Sequence, residues 1–419
     1  MKILYLSACS QLGGAERVLL DMLAAIRAAN ANLSLHLVTT EDGPLVSECV
    51  ALGVQATVVP LPKRVARLGD AAGQTRMSHL LNLFAAAPSI IVYLLRLRRV
   101  IRSFAPDVIH TNGFKVHVLG AFAKPRAAAL VWHIHDFVSS RRVMAKFLPR
   151  LSQFCRVAVT NSGAVAADVR AVCGERLEVK TIHNAVDLQR FSTTGAAINL
   201  DELAGMRPSI PDTIRIGLVA TLARWKGHET FLRAMSLVPR DLPVRGYIIG
   251  DAIYQTDGSQ HSIAGLRALA DKLEVANRVG ITGFIDDTAS AMRALDVVVH
   301  ASTEREPFGL VIAEAAACGR AIIASENAGA TELMRDRMDF VGHVAGDSLS
   351  LAVQIVQLAA DANLRNRLRA NSRATAARVF DRTRLATELL PLYQTLAMQM
   401  EVRTAEPEIG ELCSLTSDI

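Results

Sequence analysis

The stretch DVVVHASTEREPFGLVIAEAAACGRAIIAS, residues 296–325, decides the fold. It opens on a valine run, crosses a polar loop broken by Pro307 and Gly309, continues as an alanine-rich apolar run to Gly319, and closes on a second β-branched run. Short runs without polar alternation read as strands buried on both faces, which is the condition of parallel strands crossed by helices. Residues 296–302 and 320–325 are expected to be such strands, with 309–318 the connecting helix ended by Gly319. Two carboxylates stand in this apolar setting, Glu306 on the loop and Glu314 over a turn into the helix. The start of a helix carries unpaired N–H groups and the positive end of its dipole, which suits a phosphate. Glu314 is then placed to accept hydrogen bonds from vicinal hydroxyls such as those of a ribose, and Glu306 from hydroxyls of a sugar beyond the phosphate.

Outward from this stretch the same alternation recurs. In the second half, strands are expected at 214–220, 245–250 and 278–284, with helices at 227–238 and 261–274. In the first half, strands are expected at 2–7, 33–40, 55–60, 107–112, 129–136, 156–162 and 178–184, and AERVLLDMLAAIRAA (15–29) has the apolar spacing of a helix. The expected class is α/β, with two doubly wound Rossmann-like domains in succession, since 419 residues exceed what one core of about 250–300 residues supports. Residues 192–213, rich in Ser, Thr, Gly and Pro, mark the boundary: 1–195 forms the first domain and 196–380 the second. A helix over 381–400 is expected to cross back to the first domain. The polar, acidic 401–419 is expected to be disordered, and 251–260 to be an exposed mobile loop.

The charge is unevenly divided. Residues through Gly195 hold 23 Lys and Arg against 12 Asp and Glu, and the remainder 23 against 28. Basic clusters at 96–102 and 140–150 lack interleaved aromatic residues, which argues against nucleic acid; an anionic membrane surface or a phosphorylated acceptor fits them, and so do plain solvated helix faces. HLLNLFAAAPSIIVYLLRLRRV (79–100) is interrupted by Asn82 and Pro88 and is too short between charges to span a bilayer; a buried core helix and an interfacial helix both fit it. The six cysteines show no metal-ligand spacing, and MKILYLSACSQLGG reads as a first buried strand, so a cytoplasmic protein is expected, peripheral at the inner membrane face.

Strand ends carry the other candidates. Gly13-Gly14 lies between the first strand and first helix, an arrangement that admits a ligand to backbone N–H groups, although a plain tight turn is the more common use of such a pair. His133 and His135 share a face near the end of their strand, His135 closer to the edge where doubly wound sheets bind ligands. For His110 a buried, hydrogen-bonded role is favoured.

EREPFGLVIAEAAACGRAIIAS (304–325) resembles the carboxylate-helix motif of the retaining glycosyltransferases of family four, which have the GT-B fold. GGAE (13–16), HD (135–136), IHNAVDLQRF (182–191), ARWKGH (223–228), GFIDD (283–287) and NAGATEL (327–333) agree with that family in order and spacing. The resemblance implies two domains facing across a cleft and transfer of a sugar from a nucleotide-diphosphate sugar to a hydroxyl of a glycan or lipid-linked glycan, in cell-surface polysaccharide or lipopolysaccharide synthesis. It implies that Arg224 and Lys226 hold the donor diphosphate. Lys226 stands at the family position; the arginine that many relatives carry five residues earlier is Thr221 here. Glu314 would bind the ribose, Phe284 would flank the base, and Leu310 with Val311 would offer N–H groups to the diphosphate. Glu306, Phe308 and Gly309 would line the sugar. Gly13 and Gly14 would approach from the other domain on closure, and His135 would contact the donor sugar or the reacting centre.

Retention proceeds either through a carboxylate nucleophile or by front-face attack, and the resemblance favours the latter. No metal or other cofactor is expected, because Arg224, Lys226 and the helix dipole can carry the leaving-group charge. UDP and GDP donors both remain open. The alternatives are a nucleotide-sugar isomerase on the same architecture and a non-catalytic sugar-binding protein.

Overall fold

The structure is a computed structural model that describes residues 1–62, 76–252 and 259–415, the side chains of 76–86 and 403–415 excepted. The chain forms two compact units, residues 1–182 together with the segment from Thr383 onward, and residues His183–Arg382.

The first unit is built on a seven-stranded parallel sheet of β1 (Lys2–Ser7), β2 (Ser34–Thr39), β3 (Gln55–Val58), β4 (Val108–Asn112), β5 (Ala129–Ile134), β6 (Val157–Thr160) and β7 (Glu178–Thr181). Its order is β3-β2-β1-β4-β5-β6-β7. The direction of winding reverses between β1 and β4, and such a switch leaves a crevice at the strands' carboxyl ends. Every residue of β4 and β5 is buried, which accounts for their unbroken hydrophobicity. The helix Arg76–Phe104 packs beside Phe114–Ala123, which packs beside Met144–Leu151. Tyr93, Leu97 and Ile101, each four residues apart, bury one face of the first of these. Its other face exposes Ile91, Val92 and Leu95 beside Arg96 and Arg99, so the segment is a core helix and an exposed amphipathic surface at once. Among the described residues no helix is long and apolar enough to cross a membrane.

The second unit has a six-stranded parallel sheet of β8 (Ile214–Val219), β9 (Val244–Ile249), β10 (Val279–Gly283), β11 (Val297–His300), β12 (Ala321–Ser325) and β13 (Val341–His343), in the order β10-β9-β8-β11-β12-β13. Here the switch lies between β8 and β11. The stretch 296–325 forms β11, the helix Leu310–Ala317 and β12, as its pattern predicts. Among the described strands of this unit, the short edge strand β13 alone has no counterpart in the sequence reading; three residues with little alternation give too weak a signal.

The chain enters the second unit at His183, earlier than residue 196. Val186 and Phe191 are buried in that unit's core, Val186 pairs with Asp381 as a short bridge, and Asp187 holds Arg382 at 2.8 Å. The presumed boundary segment 192–213 is tied down as well. Leu200 is buried, and Asp201 binds Arg245 at 2.6 Å and the Tyr247 hydroxyl at 2.7 Å. Composition shows neither anchor, since both depend on partners distant in sequence. The last helix runs Thr383–Leu415, packs against the helix Gly14–Ala29, and keeps residues 401–415 helical where disorder was expected. Its Glu, Leu and Met content supports a helix as well as a polar tail. Residues 253–258 of the expected mobile loop, and 416–419 of the tail, lie outside the described residues.

Candidate active site

In the second unit the switch point brings together two connections. β8 leads to a tight turn, Arg224–Lys226, and β11 leads to the loop carrying Glu306. They are joined directly, Thr303 N donating to Trp225 O at 2.8 Å. Gly227 closes the turn with φ 79°, and a Cβ there would stand 1.9 Å from the carbonyl oxygen of Ala301, so the approach of the two connections requires glycine.

Lys226 Nζ lies 2.6 Å from Glu306 Oε2 and 3.9 Å from the centroid of the Trp225 ring. The same Glu306 oxygen accepts from Ser302 Oγ at 2.8 Å and lies 3.4 Å from His300 Nε2. His300 is in turn bound through Nδ1 to Ser325 Oγ at 3.0 Å. Burial alone raises a carboxyl's pKa, but the Lys226 charge and the His300 hydrogen bond outweigh it and hold Glu306 well below the usual carboxylate range. Glu306 is therefore a fixed anion in a buried polar cluster. Its backbone is clamped too: Glu306 N donates to Asn327 O, Gly329 N to Glu306 O, and Ala330 N to Phe308 O. These bonds give NAGATEL a physical task, the support of the glutamate loop from the segment after β12.

Gly309, at φ 87°, turns the chain into the helix Leu310–Ala317, so Leu310 and Val311 supply the first-turn N–H groups. Glu314 is half-buried one turn further on. Phe308 departs from the expectation that its side chain lines a sugar site. Its ring is buried against Phe380, centroids 6.1 Å apart, and its carbonyl accepts from Ala330 N at 2.7 Å. Phe284 follows the left-handed Gly283 and is exposed. Arg224 is exposed in the turn that holds Lys226, its N–H bound to Ser259 O at 3.0 Å. Glu332 pairs with His183 at 3.1 Å.

In the first unit, Gly13 and Gly14 begin the helix Gly14–Ala29, and Gly14 is exposed. Glu16, in the first turn, is raised to about 6, chiefly by burial, with the Glu41 charge adding to the effect. His135 lies one residue past β5. Its Nε2 is 2.6 Å from Asn112 Oδ1, and its carbonyl accepts from Asn161 Nδ2 at 3.1 Å. Its ring lies against that of His133, centroids 4.0 Å apart and planes tilted by 37°, and burial lowers its pKa to about 4. His110 is buried and bridged, with Tyr393 Oη 2.8 Å from Nδ1 and His133 Nδ1 3.1 Å from Nε2. Asn112, Asn161, Ser302 and His300 escaped the sequence reading as site residues. Each sits at or just past a strand end, the one positional signal that could have drawn attention to them.

Two family models match the chain, glycosyltransferase family 4 over residues 12–190 and glycosyl transferases group 1 over residues 213–361. The lipopolysaccharide core biosynthesis glycosyltransferase LpsE of Rhizobium meliloti (strain 1021) is 28% identical over 83% of this chain and 93% of its own. A phosphatidyl-myo-inositol mannosyltransferase of Mycobacterium leprae (strain TN) is 35% identical over 47% of this chain and 56% of its own, about half its length. Among solved structures, Anabaena Alr3699/HepE in complex with UDP-glucose has a TM-score of 0.76 at 24% identity, covering 94% of this chain and 100% of that one. That likeness concerns the fold, two Rossmann-like α/β units of the GT-B class.

Proposed function

The chain belongs to the family-four, group 1 glycosyltransferases, and we propose that it transfers a sugar, with retention, from a nucleotide-diphosphate sugar to a hydroxyl of a glycan or lipid-linked glycan. The observation that carries this reading is the Lys226–Glu306 pair at 2.6 Å, set beside the helix start at Gly309. A cation, a fixed anion and free-ended backbone N–H groups are complementary to a phosphate and the hydroxyls of an attached sugar.

In this reading Lys226 and Arg224 bind the diphosphate with Leu310 and Val311, and stabilise the charge that grows on it as the anomeric C–O bond breaks. The acceptor oxygen bonds to the anomeric carbon on the same face, and its proton passes to the departing phosphate oxygen. Glu306 is too firmly ionised and too heavily hydrogen-bonded to be the better nucleophile; it orients the sugar's hydroxyls. Glu314 takes the ribose and Phe284 flanks the base, while Gly13, Gly14 and His135 serve the sugar being moved. No metal is assigned a part.

The acceptor is assigned to cell-surface polysaccharide or lipopolysaccharide synthesis, in keeping with the name of the Rhizobium relative. A peripheral membrane position is supported by exposed Ile91, Leu95, Phe122 and Phe147 on neighbouring helices, with Arg96 and Arg99 among them. Sedimentation with anionic and zwitterionic vesicles checks this; no preference for the anionic vesicles removes the main support, and recovery with neither removes the membrane assignment.

The donor test is isothermal titration with UDP, GDP, ADP and their common sugar derivatives, UDP-glucose first because the Anabaena neighbour binds it. One nucleotide sugar should bind wild type and lose at least ~10-fold in affinity on Lys226→Ala, about 1.4 kcal/mol. Folded protein that binds no nucleotide, or binds one unaffected by the substitution, defeats the assignment.

A further inference from the structure

The carboxyl end of β5 is flanked by two asparagines, one from each neighbouring strand. Asn112 ends β4 and Asn161 follows β6, and both reach His135, Asn161 through the backbone carbonyl and Asn112 through the ring. The amide orientation of Asn112 is set from its other side: Nδ2 donates at 3.4 Å to the carbonyl oxygen of Ala15, directly after the Gly13-Gly14 turn. A carbonyl oxygen only accepts, so Nδ2 faces Ala15 and Oδ1 faces the imidazole. Oδ1 also only accepts, so Nε2 of His135 must carry the proton. Nδ1 is then a bare lone pair, and it is buried with no partner among the described residues. A buried polar atom without a partner calls for an explanation, and a ligand hydroxyl donating to it supplies one.

We propose that Asn112 is a positioning residue for sugar transfer, locking His135 as the neutral Nε2–H tautomer so that Nδ1 serves only as a hydrogen-bond acceptor. This inference rests on the reading of His135 as a residue of the transfer site. It narrows that reading, because such a histidine accepts from a hydroxyl and does not act as a cation toward the diphosphate. The surroundings agree. His110, His117 and His133 are kept neutral by burial, and Asp136, the next residue, is held by Arg141 at 2.7 Å. Burial likewise disfavours the charged form of His135. The bond through Ala15 also ties the histidine's protonation to the Gly13-Gly14 turn, two features that lie far apart in sequence.

The test uses the full chain labelled with 15N-histidine, the His135 signals being assigned by their loss in His135→Ala. Long-range 1H–15N correlation should report the neutral Nε2–H form in wild type at pH 7 and a mixture of tautomers in Asn112→Ala. In Asn112→Asp a carboxylate at the same distance favours the imidazolium, so the His135 titration should move up by at least one pH unit. Nucleoside diphosphate release from a panel of UDP-, GDP- and ADP-sugars should then show the acid-side fall of kcat/KM displaced upward by at least one pH unit in Asn112→Asp, with the values converging on wild type at higher pH; a merely structural role would not produce that displacement. A wild-type His135 found as Nδ1–H or imidazolium overturns the lock without recourse to any variant. An Asn112→Asp protein whose titration and pH profile match wild type overturns the positioning role. If His135→Ala turns over the sugars at the wild-type rate, the catalytic half of the inference falls. A wild type inert toward the whole panel defeats the transferase reading instead, while the spectra still decide the tautomer.

Discussion

Replacing Lys226 by Met removes the charge and keeps most of the stem against the Trp225 ring, so it isolates the ion pair. At the observed 2.6 Å, and with an effective dielectric of about 20, the gross attraction to Glu306 is about 6 kcal/mol. Desolvation of both ions offsets much of this in the intact pair. In Lys226→Met the offset is lost on one side only, because Glu306 remains buried with Ser302 and His300 as its partners. Breaking one half of a buried pair costs about 3–5 kcal/mol, and that is the expected loss of stability in the second unit. Glu306→Gln added to Lys226→Met should restore most of it, since the amide carries no charge and can still accept from Ser302. The pH dependence has a definite sign. In wild type Glu306 is held below its unfolded value, so its contribution is complete above about pH 4.5 and is lost as pH falls below that. In the variant, burial acts without the lysine, the folded pKa rises above the unfolded one, and protonation stabilises the folded unit. The gap between the two proteins should therefore narrow from pH 7 to pH 4. The chain's two tryptophans allow the measurement, Trp132 lying in the first unit and Trp225 in the second. Urea unfolding followed by fluorescence in a Trp132→Phe background reports the second unit alone. A loss under about 1 kcal/mol at pH 7, or a gap that does not change with pH, refutes the reasoning.

Gly227→Ala should prevent the second unit from folding normally, because its Cβ would meet a backbone carbonyl at 1.9 Å, whereas Gly309→Ala meets nothing nearer than 3.3 Å and should cost about 1–2 kcal/mol for the left-handed backbone; circular dichroism melts compare them. Tyr393→Phe strips His110 Nδ1 of its partner inside the first unit and should cost about 1–3 kcal/mol, read from Trp132 fluorescence in a Trp225→Phe background. Glu16 titrates near 6 in the folded state, above its unfolded value, so its ionisation penalises folding above that pH; Glu16→Gln should raise stability by about 1–2 kcal/mol at pH 8 and by nothing below pH 4.5 in urea titrations.

The sequence alone determined the class of the protein, because two doubly wound sheets require unbroken Val, Ile and Leu runs at intervals that leave room for a crossover helix, and those runs are legible without knowledge of what they touch. It also determined the glutamate loop and the glycine turns, where backbone geometry admits few residue types. Tertiary structure decided whatever depends on partners remote in sequence. The division at His183 follows from Val186 and Phe191 finding a core to which distant residues such as Tyr247, Phe308, Ile322 and Phe380 contribute. The burial of the Phe308 ring depends on Phe380, and the ionised state of Glu306 on Lys226, 80 residues away. The roles of Asn112 and His300 were hidden for the same reason: an amide or imidazole at a strand end acquires meaning only when the neighbouring strand, which the sheet order selects, presents the atom it must bind.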